Sequence, residues 1–237
     1  MRVFHDRLID DLDRTWFKDL IAITVKEQFG IDFSKVKGDH ASIVYGNFGD
    51  PKSTAKPYAE LGDRVVLQKV MEDYLEDYNQ ITTTPMSLVL FESAVEHIAR
   101  ISRIINQPYG NALLVGVGGS GRKSLTTMAV HIAEFTRFTI EITKSYGLAD
   151  WREDIKTMMN KAGVQNNPTV FMIDDTQIVR ESFLEDINGI LNTGEVANLF
   201  NSEETGAMME ALSKPCQDAG VNAGAFPFIL LFFICLY

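Results

Sequence analysis

The chain has 237 residues, 46% hydrophobic and 23% charged, an ordinary balance for a globular protein with a sizeable core. A formal net charge of −10 without any long basic run argues against nucleic acid as the main partner. Two cysteines, Cys216 and Cys235, and four scattered histidines lack metal-ligand spacing, so neither a disulfide framework nor a metal centre built from them is expected.

Met1 is followed at once by the charged stretch RVFHDRLIDD, which does not read as a signal peptide. Residues 3–29 have helical spacing through Trp16, Phe17, Leu20, Ile21 and Val25, with Asp13 as the expected N-cap and Gly30 as the stop. Residues 46–63 hold three glycines and two prolines and read as a linker. A helix over 66–78 places Val66, Val70, Tyr74 and Tyr78 on one face. The acids Glu72, Asp73, Glu76 and Asp77 fall opposite, where a solvated face explains them better than metal ligation. Ser87 is the expected cap of a helix reaching about Asn106, striped by Phe91, Val95, Ile98, Ile101 and Ile105.

The informative stretch follows. ALLV (112–115) suits a buried strand, GVGGSG can only be a tight backbone turn, and RKSLTTMAVHIAEF reads as a helix. A strand, a glycine-rich loop and a helix bring backbone N–H groups and the positive end of a helix dipole to one point, which suits a phosphate. Gly116 and Gly121 have the spacing of the P-loop pattern G-x-x-x-x-G-K-[ST]. However, Arg122 stands at the Lys position, and Lys123 stands where the Mg²⁺-binding Ser or Thr belongs. Ser124 comes one residue late, turned by roughly 100° around the helix. Gly116, Gly118 and Gly121 also spell G-x-G-x-x-G with Glu141 twenty residues on. That dinucleotide reading is disfavoured, because Glu141 lies inside FTIEIT and the helix opens on Arg-Lys-Ser. A ligand-free glycine turn is the remaining alternative.

FTIEIT (138–143) is expected as a strand and Asp150–Lys161 as a helix. TVFMIDD (169–175) then reads as a buried strand ending in two carboxylates. Parallel strands deliver functional groups at their carboxyl ends, beside the phosphate loop. An acid there holds the Mg²⁺ shell in P-loop enzymes, and a neighbouring acid orients water. Strand, P-loop, helix, strand, helix, strand-Asp is the order of an α/β P-loop NTPase core. A helix over Ser182–Leu191 ended by Gly194, and another near Glu203–Leu212, complete the pattern.

Several stretches together resemble the motor region of dynein heavy chains: VFHDRLIDD…DRTWF, VMEDYLEDYN, PMSLVLFESAVEHIARISRII, NALLVGVGGSGRKSL, FTIEITKSYG, FMIDDTQI and ESFLEDINGILNTGEVANLF. The Gly-Arg loop is similar to that of the fourth AAA+ module of axonemal dyneins, and the N-terminal helices resemble the end of the third. The resemblance runs from about Arg2 to Val221. It implies a three-layer AAA+ core, incomplete here, preceded by helices of a neighbouring module. The implied layout is 1–40 as the helical end of that module, 41–63 as linker, 64–224 as a partial nucleotide-binding domain and 225–237 as an apolar non-family tail. The implied ligands are ATP or ADP with Mg²⁺. Gly116, Val117, Gly118, Gly119, Ser120, Gly121, Arg122, Lys123, Ser124 and Leu125 would form the phosphate loop. Asp174 would hold the metal through water, and Asp175 stands where active ATPases carry Glu. The shorter second acid and the missing hydroxyl point to binding without efficient hydrolysis. Competing readings are a working ATPase and a structural module with an empty loop.

Other AAA+ modules of the same heavy chain, microtubules, and dynein intermediate and light chains are the implied partners, in the cytoplasm and the axoneme of a cilium or flagellum. Nucleic acid is not expected from the charge balance, nor is a membrane, because AFPFILLFFICLY is thirteen residues against the about 20 that span a bilayer. That run reads in two ways: a makeshift fourth strand beside Ala112–Val115, or a non-native end, which its aggregation-prone composition favours. The chain is accordingly expected to be a fragment or truncated product.

Overall fold

The computed structural model describes residues 2–5, 7–37, 44–51, 53–62, 64–218 and 231–236. The chain forms two compact units, Met1–Val44 and Tyr45–Tyr237.

The first unit contains α1 (Arg2–His5), α2 (Asp11–Phe29) and α3 (Phe33–Lys37). The expected single helix over 3–29 is therefore two. Asp10, not Asp13, caps α2, because its extended backbone lets the carboxylate accept the Asp13 N–H at 2.9 Å. Gly30 ends the helix in the left-handed region, φ 66°, its N–H returning to the Lys26 carbonyl. Helix α2 buries none of its residues, and Trp16 and Phe29 are exposed.

In the second unit, β1 (Tyr45–Gly46) and β2 (Ala59–Glu60) pair antiparallel across the Gly/Pro-rich stretch, and Phe48 between them is buried. Helix α4 (Arg64–Ile81) follows. Its buried face is Leu67, Val70, Met71 and Tyr74, whereas Val66, expected inward, is exposed. The four acids at 72, 73, 76 and 77 are exposed, and no metal-holding cluster occurs among the described residues.

Helix α5 (Glu92–Ile105) starts later than the sequence predicts, with Phe91 rather than Ser87 at its N-cap. The reason lies in α4. The Asn79 amide accepts the Met86 N–H at 2.7 Å and donates to the Met86 carbonyl at 2.9 Å, holding that segment in a non-helical path. Phe91 is consequently exposed, while Val95, Ile98, Ile101 and Ile105 form the buried stripe.

The rest alternates strand and helix: β3 (Asn111–Leu114), α6 (Arg122–Ile132), β4 (Thr136–Phe138), α7 (Leu148–Met159) extended by a π-helical turn (Asn160–Val164), β5 (Thr169–Asp174), α8 (Glu181–Thr193), α9 (Ser202–Asp218) and β6 (Leu231–Leu236). The four strands form one parallel sheet in the order β3-β6-β5-β4. Strand β5 is buried along its whole length, as a parallel strand covered on both faces must be. Phe171 and Ile173 face a cluster with Trp151, Ile155, Met158, Phe183 and Ile187 from α7 and α8. Strand alternation turns Val170 and Met172 to the opposite face, the side of α5 and α6. Trp151 and Phe183 stack with centroids 4.4 Å apart, and the Trp151 indole N–H donates to buried Asp186 at 3.0 Å.

Three expectations change in the sheet. First, β4 covers 136–138 rather than 138–143. It is an edge strand whose one neighbour, β5, pairs with it over Thr169–Phe171 and no further, and past Phe138 the chain leaves toward α7. Second, β3 is also an edge, and Leu113 is 62% exposed rather than buried. Third, residues 231–236 lie between β3 and β5 with parallel register Ala112↔Ile234 and Met172↔Ile234, the makeshift fourth-strand arrangement, the less favoured of the two readings of the tail.

Candidate nucleotide site

Parallel strands place all their carboxyl ends on one side, so the loop after β3 and the acid ending β5 emerge together. With β6 between them they stand two strand spacings apart, about 10 Å. Lys123, in the first turn of α6, crosses that gap and donates from Nζ to Asp174 Oδ2.

The loop keeps its shape through two glycines in the left-handed region, Gly119 (φ 80°) and Gly121 (φ 79°), which other residues adopt only with strain. Gly121 is the N-cap of α6, and its carbonyl accepts the Leu125 N–H at 2.8 Å. A Cβ on Gly118 or Gly119 would meet nothing within 4 Å, so the outer side of the turn is bare backbone. Arg122 folds back under the loop. Its Nη2 donates to the Val117 carbonyl at 3.2 Å, and its Nη1 is buried without a hydrogen-bond partner among the described residues.

Asp174 is only 8% exposed. Burial alone would push its pKa up. The Lys123 ammonium and the hydroxyl and N–H of Thr176 outweigh that and leave it below its ordinary value. Oδ2 faces Lys123, while Oδ1 accepts from Thr176 Oγ1 and from Thr176 N at 3.1 Å. Gln177 closes the reciprocal half of this cap, accepting the Asp174 N–H at 2.8 Å and donating to the Ile140 carbonyl at 2.6 Å. Asp175 is exposed and accepts the Thr176 N–H at 3.0 Å, not a bond from Lys123. The structure thus joins Lys123 to Asp174, sets the Arg122 side chain under the loop and leaves Asp175 exposed. Thr176 and Gln177 were missed in the sequence, although D-x-x-Q after a strand is itself a capping signature.

Two ligand chemistries can be tested against these groups. An anionic phosphate fits: bare backbone, the amino end of an eleven-residue helix and an orphaned guanidinium nitrogen all favour negative charge. A divalent cation does not fit. Three of the roughly four acceptor sites of Asp174 already face protein donors, one of them an ammonium that repels any cation beside it, and position 123 offers no oxygen.

A hollow of about 330 Å³, lined by Lys56, Tyr58, Arg103 and Asn106 among others, lies at the opposite end of the sheet, where α5 leads into the start of β3. Lys56 there pairs with Glu134, just past α6.

A family model described as the P-loop containing dynein motor region D4 matches residues 86–233. Among curated proteins, dynein axonemal heavy chain 1 of Mus musculus is 47% identical over 221 residues, covering 93% of this chain and 5% of the relative. Dynein axonemal heavy chain 3 of the same species is 41% identical over 237 residues, covering 95% and 6%. Dynein-1-beta heavy chain, flagellar inner arm I1 complex, of Chlamydomonas reinhardtii is 43% identical over 230 residues, covering 95% and 5%. The chain therefore spans about a twentieth of the length of these relatives.

Proposed function

The chain belongs to the motor region of axonemal dynein heavy chains, and on that premise we propose that it is an ATP- or ADP-binding, mainly regulatory AAA+ segment of such a motor. The observation that carries the reading is the loop itself: bare glycine backbone at the head of α6, with the Arg122 guanidinium beneath it holding an unpartnered nitrogen. Gly116–Leu125 would cradle the phosphates, with Arg122 supplying the cationic contact in place of the usual Lys. Efficient hydrolysis is not part of the reading. Asp175, the residue that would orient water, is exposed and turned to its own neighbouring N–H, and it is one methylene shorter than Glu.

The parent motor would act with the other AAA+ modules of its heavy chain and with intermediate and light chains, moving toward microtubule minus ends in cilia or flagella. Titration of the chain with ATP and ADP, followed by a phosphate-release assay, tests the proposal. Saturable binding with negligible turnover is expected. Absence of binding would leave a structural module, and turnover abolished by Asp174→Ala would make the segment a working ATPase.

A further inference from the structure

The contact between Lys123 and Asp174 has a consequence for the ligand. We propose that the Lys123 ammonium is a built-in substitute for Mg²⁺, so that this site takes a nucleoside di- or triphosphate without a divalent cation. The inference rests on the nucleotide-binding reading above and deepens it.

A P-loop site ordinarily needs a metal for charge and for geometry. The ion neutralises the phosphates, and it links the first helical turn after the loop to the acid that ends another strand of the sheet. Here one side chain makes the same link. Lys123 lies in the first turn of α6 and reaches the acid that ends β5. Its ammonium has three donors. One goes to Asp174, and because the side chain is 67% exposed, the others stay open to the solvent side beside the helix amino end. Arg122 already stands for the usual loop Lys, so Lys123 is the one fixed positive charge at the place where a divalent ion would bring two.

The acid is also prepared for a cation that never leaves. Thr176 holds Oδ1 with both hydroxyl and N–H, and Gln177 locks the Asp174 backbone, so Oδ2 is presented toward α6. The pair is covalently part of the fold, so its strength does not follow the free Mg²⁺ concentration.

The test uses the intact chain and a fluorescent ATP analogue, titrated in excess MgCl₂ and again in excess EDTA. The expected dissociation constants agree within about threefold. Lys123→Thr, which restores the metal-binding hydroxyl and frees Asp174, should weaken in EDTA by at least about tenfold relative to MgCl₂. Binding by the natural chain only in MgCl₂ overturns the inference and leaves the nucleotide site standing. Binding under neither condition overturns the nucleotide site, and the inference with it. A readout without nucleotide guards against a poorly folding variant: the melting temperatures of the natural chain, Lys123→Gln, Asp174→Asn and the double variant. Non-additive shifts are expected for a pair in contact; strict additivity would refute the pairing.

Discussion

Replacing Arg122 by alanine separates the ligand-binding role of the loop from its structural one. In the folded chain the guanidinium makes one neutral-acceptor bond, to the Val117 carbonyl at 3.2 Å, in a turn whose residues 116–120 are exposed. Losing it should lower stability by about 0.5–1.5 kcal/mol. The second nitrogen, Nη1, has no partner to lose among the described residues. With nucleotide present, that nitrogen gains a phosphate oxygen, a charge-assisted bond contributing about 1.5–3 kcal/mol, or roughly tenfold to a hundredfold in affinity. Arg122→Ala should therefore melt only slightly below the natural chain yet bind ATP at least about tenfold more weakly. Isothermal titration calorimetry, with circular dichroism to establish folding, reads both quantities. Unchanged affinity in a folded variant would refute the phosphate role of Arg122.

Trp151→Phe keeps the stack on Phe183 but removes the indole donor to Asp186, which is then left with Arg152 at 3.8 Å; urea unfolding should register a loss of about 1–3 kcal/mol. His131 lies edge-on to Tyr74 and Tyr78, and burial lowers its pKa below 6.5 despite the opposing charges of Asp77 and Glu134. Below pH 6.5 the unfolded chain then takes up a proton that the folded chain refuses, so stability should fall from pH 6.5 toward 5. That slope should flatten in His131→Phe, as read by melting temperature against pH. Deleting 225–237 removes the strand that pairs with both β3 and β5. The shortened chain should lose cooperative folding by calorimetry, and an unchanged melting transition would mean that β6 contributes nothing to the sheet.

The local grammar of this chain is written in its residues. GVGGSG admits only a turn, because two of its positions need a left-handed backbone, and apolar periodicity marks α4, α5, α6 and α8. The run VFMIDD has the continuous apolarity of a strand covered on both faces. The Gly-Arg loop and its companion stretches were enough to reach the family. Pairings between distant segments were not legible in the same way. Nothing local makes Asn79 clamp Met86 and delay α5, and nothing local says that β3 and β4 are edges, which is why ALLV was expected buried and FTIEIT longer. The tail's composition argued for a foreign end, but pairing depends on what lies on either side, and the gap between β3 and β5 admits one strand. Lys123 and Asp174 are 51 residues apart in the chain. Their contact arises because two parallel strands, two places apart, end on the same side of the sheet at a separation that one lysine can cross.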